Sequence, residues 1–194
     1  MRIPETPMPT SGCCYLVGAV PGSPSLLTTK ALRLIQAATL LLVDDLVSPE
    51  IVALASPRAR VIHVGKRGGR ERGSQAFIEK LMIMAARQGE LVVRLKGGEP
   101  FVLGRGGEEA QSLRAAGVPV QVVNGITSGL TGSTGPGFPL IHRAQVRGAS
   151  FTHGHLRRAG AAQDWKMLGQ VAHPLGLMLL LYMGVSSAAG ICLI

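Results

Sequence analysis

At 194 residues the chain is long enough for one domain or two small ones, and 46% apolar against 16% charged residues excludes a disordered protein. The 26 glycines cluster in loops without a fixed period, which excludes collagen-like and solenoid architectures. The net charge is +9, and 15 of the 20 basic residues are arginine, so the surplus is either a solvated basic surface or a partner for an anion.

The remaining composition narrows the class. Only seven residues are aromatic and none is interleaved with basic ones, so no nucleic-acid partner is expected. Cys13, Cys14 and Cys192 give neither a disulfide framework nor metal-ligand spacing, and a reducing cytoplasm is expected. The leader MRIPETPMPTSG lacks the apolar run of a signal peptide.

Along the chain, Cys14 to Gly18 predicts a first strand, with Cys13 and Cys14 as core-facing and edge-facing small residues. Ser23 and Pro24 offer an N-cap and a first-turn proline, and Leu27, Ala31, Leu34, Ile35 and Ala38 recur at helical spacing. Thr39 to Val43 predicts a second strand, Ser48-Pro49-Glu50 a helix start, and Arg60 to Val64 a third strand. Ser74 to Gln88 predicts a helix with Phe77, Ile78, Leu81, Met84 and Ala85 on one side, stopped by Gly89. Leu91 to Leu95 is the fourth strand, Glu108 to Ala116 a helix, and Val118 to Val123 the fifth strand.

Strands alternating with helices predict an α/β fold: a five-stranded, mainly parallel sheet with helices on both faces. Ligands of such sheets sit beyond the carboxyl ends of the strands. The loops there read GAVPGSP, DDLVSP, GKRGG, KGGEPF and NGITSG, which concentrates glycine, hydroxyl and charged groups on one edge. The domain organisation expected is an N-terminal α/β domain over 13–134, a Gly/Pro-rich linker over 135–148, and a partial C-terminal α/β domain over 149–194. In that part, Ala149 to His153 opens a second sheet, Arg157 to Gln170 forms a loop and short helix, and Leu177 to Met183 is a buried strand. The uncharged run from Pro174 to Ile194 approaches a bilayer span in length, but its dense apolar part stops at Met183, so a buried strand is expected over a membrane helix.

Singly the motifs are weak. GAVPGSP lacks the Lys-Ser/Thr ending of a phosphate loop, and KGGEPF alone reads as a tight turn. His153-Gly-His155 has no carboxylate or cysteine at ligand spacing, and no metal is expected.

Together, VGAVPGSPSLLTTKALRLIQAA, DDLVSPEI, VGKRGG, GSQAFIEKLM, RLKGGEPFVLGRGGEEA and VVNGITSGL resemble, in this order, the tetrapyrrole (corrin and porphyrin) methylase family. The wording is nearest to its S-adenosylmethionine-dependent uroporphyrinogen-III C-methyltransferases, from about Tyr15 to the chain end. The resemblance implies a two-domain fold, a cytoplasmic homodimer, S-adenosylmethionine as methyl donor without a metal, and uroporphyrinogen III as the polycarboxylate partner. It implies Pro21, Gly97, Gly98, Glu99, Thr127, Ser128 and Met183 at the cofactor, the last from a Tyr182-Met183 pair. It implies Asp44, Arg105 and Glu108 in catalysis, with Arg105, Glu108 and Arg143 handling substrate carboxylates. Another tetrapyrrole intermediate as acceptor, or a silent dimerising remnant, are the alternatives.

The chain also departs from the family pattern. Val20 replaces glycine, Ser23 and Glu99 replace aspartate, Asn124 replaces proline, and Ala144 to Arg147 form an insertion. Ile141 and His153 each stand where threonine is usual. The pattern continues past the Tyr182-Met183 strand, whereas the sequence stops at Ile194, so a truncated homologue with a half-walled cofactor site is expected.

Overall fold

The structure, a computed structural model, describes residues 12–67, 70–71, 74–154, 164–185 and 188. The polar leader, His155, the loop expected from Arg157, and the end of the uncharged tail lie outside the described residues. The chain divides into two compact units, one ending at Thr127 and the other beginning at Ser128.

The first unit is built on five parallel strands. They are β1 (Cys13–Gly18), β2 (Leu40–Val43), β3 (Arg60–His63), β6 (Leu91–Lys96) and β7 (Val120–Val123), in the order β3-β2-β6-β1-β7. Between β3 and β6 lie a small hairpin, β4 (Lys66–Arg67) with β5 (Arg70–Glu71), and helix α3 (Gln75–Arg87). The hairpin falls on the GKRGG stretch, where the sequence suggested only a loop.

Period-two alternation sends successive side chains of each strand to opposite faces, and both faces are mostly apolar. One carries Tyr15, Val17, Leu41, Val43, Val93 and Leu95 against helices α1 (Thr29–Ala37) and α2 (Pro49–Val52). The other carries Leu16, Leu40, Leu42 and Val92 against α3 and helix α4 (Gly106–Ala115). Cys13 and Cys14 are both buried, one in each layer, rather than one at an edge, because β1 lies inside the sheet between β6 and β7.

Two helices differ from expectation, one in its start and one in its buried face. Ser23 and Pro24 begin only a 3₁₀ turn, Pro24–Leu26, and the helix restarts at Thr28, whose Oγ1 accepts the Ala31 N–H at 3.1 Å. Two consecutive caps thus divide one predicted helix. Along α3 the buried stripe is Ile78, Met82, Ala85 and Ala86, while Phe77 and Met84 are exposed, so the inward face is rotated from the predicted one.

In the second unit, helix α5 (Ser128–Thr134) leads to an antiparallel bridge between His142 and Val146, inside the stretch expected as a linker. Strand β8 (Gly148–His153) then pairs in parallel with β9 (Leu177–Tyr182), and helix α6 (Trp165–Leu175) connects them. Asp164 caps α6 by accepting the Met167 N–H at 2.8 Å, and Gly176, at φ +61°, closes it. The residues of β9 are half-buried rather than fully buried, since the two paired strands leave its outer edge open among the described residues. No helix among the described residues is long and apolar enough to cross a membrane.

Candidate functional site

Because the five strands run in parallel, the loops following them share the carboxyl edge of the first unit. Three of these loops touch through backbone. A Cβ on Gly125 would strike the Gly98 carbonyl oxygen and the Gly18 Cα, and one on Gly18 would strike Gly125 and Gly98. Gly98 also holds φ +75°, open to glycine at little cost. Gly97 is there for space, since its Cβ would fall 2.6 Å from Cβ of Leu46 in the loop after β2.

Glu99 completes this convergence. Its carboxylate accepts the Gly125 N–H at 2.8 Å, and its other oxygen lies 3.5 Å from the Phe101 N–H. The methylene that distinguishes Glu99 from the aspartate of the family pattern thus lies within a side chain that reaches the neighbouring loop. Pro21 is half-buried in the loop after β1, beside a fully buried Val20 held at φ +44°, a strained conformation for a β-branched residue. Thr127 is buried at the end of the loop after β7.

The GRGGEE turn separates two roles that its letters run together. Arg105 adopts φ +57° and α4 begins directly after it, two residues before the predicted start. Within the helix Glu109 points inward and is fully buried, while Glu108 is exposed and ion-paired with Arg105 on the surface. Exposed pairs of this kind contribute about 0–1 kcal/mol, so Arg105 can exchange Glu108 for another carboxylate at little cost.

Glu109 takes part in a buried charge cluster. Its carboxylate receives Lys96 Nζ at 2.9 Å, Gln75 Nε2 at 3.2 Å and Arg94 Nε at 3.3 Å. Arg94 Nη1 donates to the carbonyl of Leu95 at 3.1 Å and lies 3.5 Å from that of Leu42, while its Nη2 stands 3.7 Å from Asp44 Oδ2. Asp44 is 30% exposed and Arg94 only 3%, so of this pair the carboxylate is the group that reaches solvent. Burial, and then the Arg94 guanidinium, pull the Lys96 pKa below its usual value, against the opposing pull of Glu109.

In the second unit, Ser128 and Met183 line a cavity of about 440 Å³ with Gly129, Phe138, Leu140 and Tyr182. The Tyr182 hydroxyl accepts the Gly129 N–H at 2.9 Å, and its ring lies 6.0 Å from that of Phe151. A Cβ on Gly129 would strike both side chains. Arg143 is exposed in the turn between His142 and Val146.

Residues 14–193 match the family Tetrapyrrole (Corrin/Porphyrin) Methylases. The chain belongs to the tetrapyrrole methylases. Among curated relatives of this methylase is the uroporphyrinogen-III C-methyltransferase of Pseudomonas aeruginosa, 46% identical over 93% of the chain and 71% of the relative. A siroheme synthase of Sodalis glossinidius is 46% identical over 91% of the chain, which spans 36% of that longer protein. A uroporphyrin-III C-methyl transferase of Thermus thermophilus, solved with S-adenyl homocysteine, is similar with TM-score 0.74 and 41% identity, covering 93% of this chain and 74% of that one. Cobalt precorrin-4 methyltransferase, a cobalamin biosynthetic enzyme, superposes with TM-score 0.79 at 25% identity, over 93% of this chain and 72% of that one.

For this tetrapyrrole methylase chain, Arg94, Lys96 and Glu109 were missed as a group by sequence reasoning. A signal was present: LVVRLK sets two cations at alternate positions of an otherwise apolar strand, and cations buried in a sheet require an acid nearby. Which of the adjacent Glu108 and Glu109 supplies it depends on the face of α4 that packs on the sheet, the one carrying Ala110 and Leu113.

Proposed function

We propose that the chain transfers methyl groups from S-adenosylmethionine to carbon atoms of uroporphyrinogen III, giving precorrin-2 for sirohaem and cobalamin synthesis. The observation that carries this reading is the backbone convergence of Gly18, Gly98 and Gly125 at the sheet's carboxyl edge, closed by Glu99. The 46% identity to the Pseudomonas aeruginosa enzyme of that name and the 41% identity to a relative solved with S-adenyl homocysteine support it.

Bound S-adenosylmethionine supplies an electrophilic methyl group on a sulfonium. In the first unit, Pro21, Gly97, Gly98, Glu99 and Thr127 are the residues we assign to it. The glycines fit that role because they bring main-chain groups to the edge without side chains in the way. Binding and orienting the acceptor carbon in line with the methyl group is the main task of such a site. Positive charge develops in the macrocycle as the pyrrole carbon attacks, and the half-exposed Asp44 carboxylate is the group we assign to stabilise it, with Glu108 near by in sequence to the same edge. Arg105 and Arg143, both exposed, pair with the acidic side chains of the substrate.

Incubating the purified chain with S-adenosylmethionine and uroporphyrinogen III tests this reading. A red-fluorescent methylated product is expected, and a folded chain that yields none overturns it. A second reading, methylation of another tetrapyrrole intermediate, is favoured by the TM-score of 0.79 to cobalt precorrin-4 methyltransferase. Mass analysis of products from each acceptor separates the two. The same proposal makes the chain a cytoplasmic homodimer, so sedimentation at the mass of one protomer counts against it.

A further inference from the structure

We propose that Arg94, buried in the central sheet, is a positioning residue that fixes the Asp44 carboxylate for methyl transfer. The inference rests on the proposed role of Asp44. Arg94 lies on β6, between β2 and β1, on the face covered by α3 and α4. A guanidinium has its donors in one rigid plane, and each edge of this one meets a different partner. Nε meets Glu109, Nη1 meets the carbonyls of Leu95 and Leu42, and Nη2 faces Asp44.

Arg94 thereby connects the buried end of the cluster to the half-exposed one. Glu109 and the two carbonyls hold the guanidinium plane from behind, where burial keeps water from competing. The remaining edge points at Oδ2 of Asp44, whose Oδ1 accepts the Asp45 N–H at 3.1 Å. One carboxylate oxygen is thus held by a hydrogen bond from the backbone of its own loop, and the other faces Arg94 across an ion pair of 3.7 Å, which biases the rotation of the group toward the guanidinium. A lysine at position 94 keeps the charge but cannot span Glu109, two carbonyls and Asp44 at once.

A double-mutant cycle tests this with wild type, Arg94→Lys, Asp44→Asn and the double variant. For each we measure thermal midpoint, affinity for S-adenosylhomocysteine, and kcat and KM with uroporphyrinogen III. Arg94→Lys is expected to stay folded and keep its S-adenosylhomocysteine affinity within about twofold, while kcat falls by about 100-fold, as a misplaced reacting group does. The double variant is expected to be no slower than Asp44→Asn alone, because Arg94 acts through Asp44. Losses that multiply in the double variant overturn the proposal, as does full activity of Arg94→Lys or a loss of nucleoside affinity in step with kcat. If Arg94→Lys does not fold, Glu109→Gln, which leaves Arg94 in place and weakens the hold on its Nε, enters the same cycle with the same expected result. A wild-type chain without turnover sinks the underlying functional reading and this proposal with it, whereas a fully active Asp44→Asn sinks the role assigned to Asp44 and this proposal while methyl transfer stands. Multiplied losses in an active wild-type background sink this proposal alone.

Discussion

The carboxylate of Glu99 accepts the backbone N–H of Gly125 at 2.8 Å, joining the loop after β6 to the loop after β7. A charge-assisted bond of this kind to a backbone donor is worth about 1.5–3 kcal/mol, and breaking it leaves the Gly125 N–H without its carboxylate. Glu99→Ala is expected to lower the free energy of unfolding by that amount in urea titration. It is also expected to weaken S-adenosylhomocysteine binding, because the Gly97-Gly98 backbone loses its tie to the neighbouring loop. An unchanged urea midpoint shows that the bond carries no weight.

Two glycines of the same unit should respond to alanine in opposite directions. At Gly125 a Cβ has no room, since it meets the Gly98 carbonyl oxygen and the Gly18 backbone. Backbone cannot swing aside as a side-chain tip does, so Gly125→Ala is expected to cost about 1–3 kcal/mol or more. At Gly107, in the first turn of α4, a Cβ meets nothing within 4 Å. There alanine is expected to add about 0.5–1 kcal/mol by restricting the unfolded chain and favouring the helix. Chemical denaturation of the two variants beside wild type decides both signs.

Cys13 and Cys14 follow each other in β1 but face opposite layers of the core. Burial pushes both thiols up, and for Cys14 the Glu109 carboxylate and Cys13 push further in the same direction. Only the thiolate is a strong nucleophile, so both cysteines should resist iodoacetamide in the native protein and react readily in denaturant. Peptide mapping by mass spectrometry after each treatment reports them separately from Cys192. Native labelling at Cys14 would contradict the burial described here.

Much of this fold was legible in the sequence, for a physical reason. The five parallel strands of the first unit are short, mostly apolar runs bounded by capping or loop residues, so TLLLV and LVVRL could be recognised locally. The order in which strands pair was not legible, because β6 lies beside both β1 and β2 through packing between residues far apart in sequence. At the site, glycine-rich loops announced themselves, whereas the Glu99 bond to Gly125 depends on two loops meeting in space. The phase of α4 was hidden in the same way. Glu108 and Glu109 lie about 100° apart around the helix, and only the packing of α4 on the sheet decides that Glu109 is the one that faces the core. Likewise Thr28 restarts a helix that Ser23 had seemed to begin, since two adequate caps in one stretch cannot be ranked by composition.

Glu90 supplies the clearest dependence on pH. It precedes β6, and its carboxylate accepts the hydroxyl of Thr39 ahead of β2 and pairs with Arg60 of β3 at 2.6 Å. The Thr39 hydroxyl bond, and after it Arg60, hold the Glu90 pKa below its ordinary value of 4.5 despite the opposing effect of partial burial. A carboxylate with a lowered folded pKa stabilises the fold fully above its unfolded pKa and loses that contribution as pH falls through the folded value. Glu90→Gln is therefore expected to be less stable than wild type at about pH 7, by no more than about 1 kcal/mol because the pair is partly solvent-screened. As the pH falls through the folded pKa of Glu90 its side chain becomes neutral like that of glutamine, and the difference should shrink toward zero. Urea titrations over a series of pH values from neutral into acid check this. A gap that persists in acid assigns the effect to the shape of the Thr39 contact, and a gap that widens in acid reverses the sign argued from the shift.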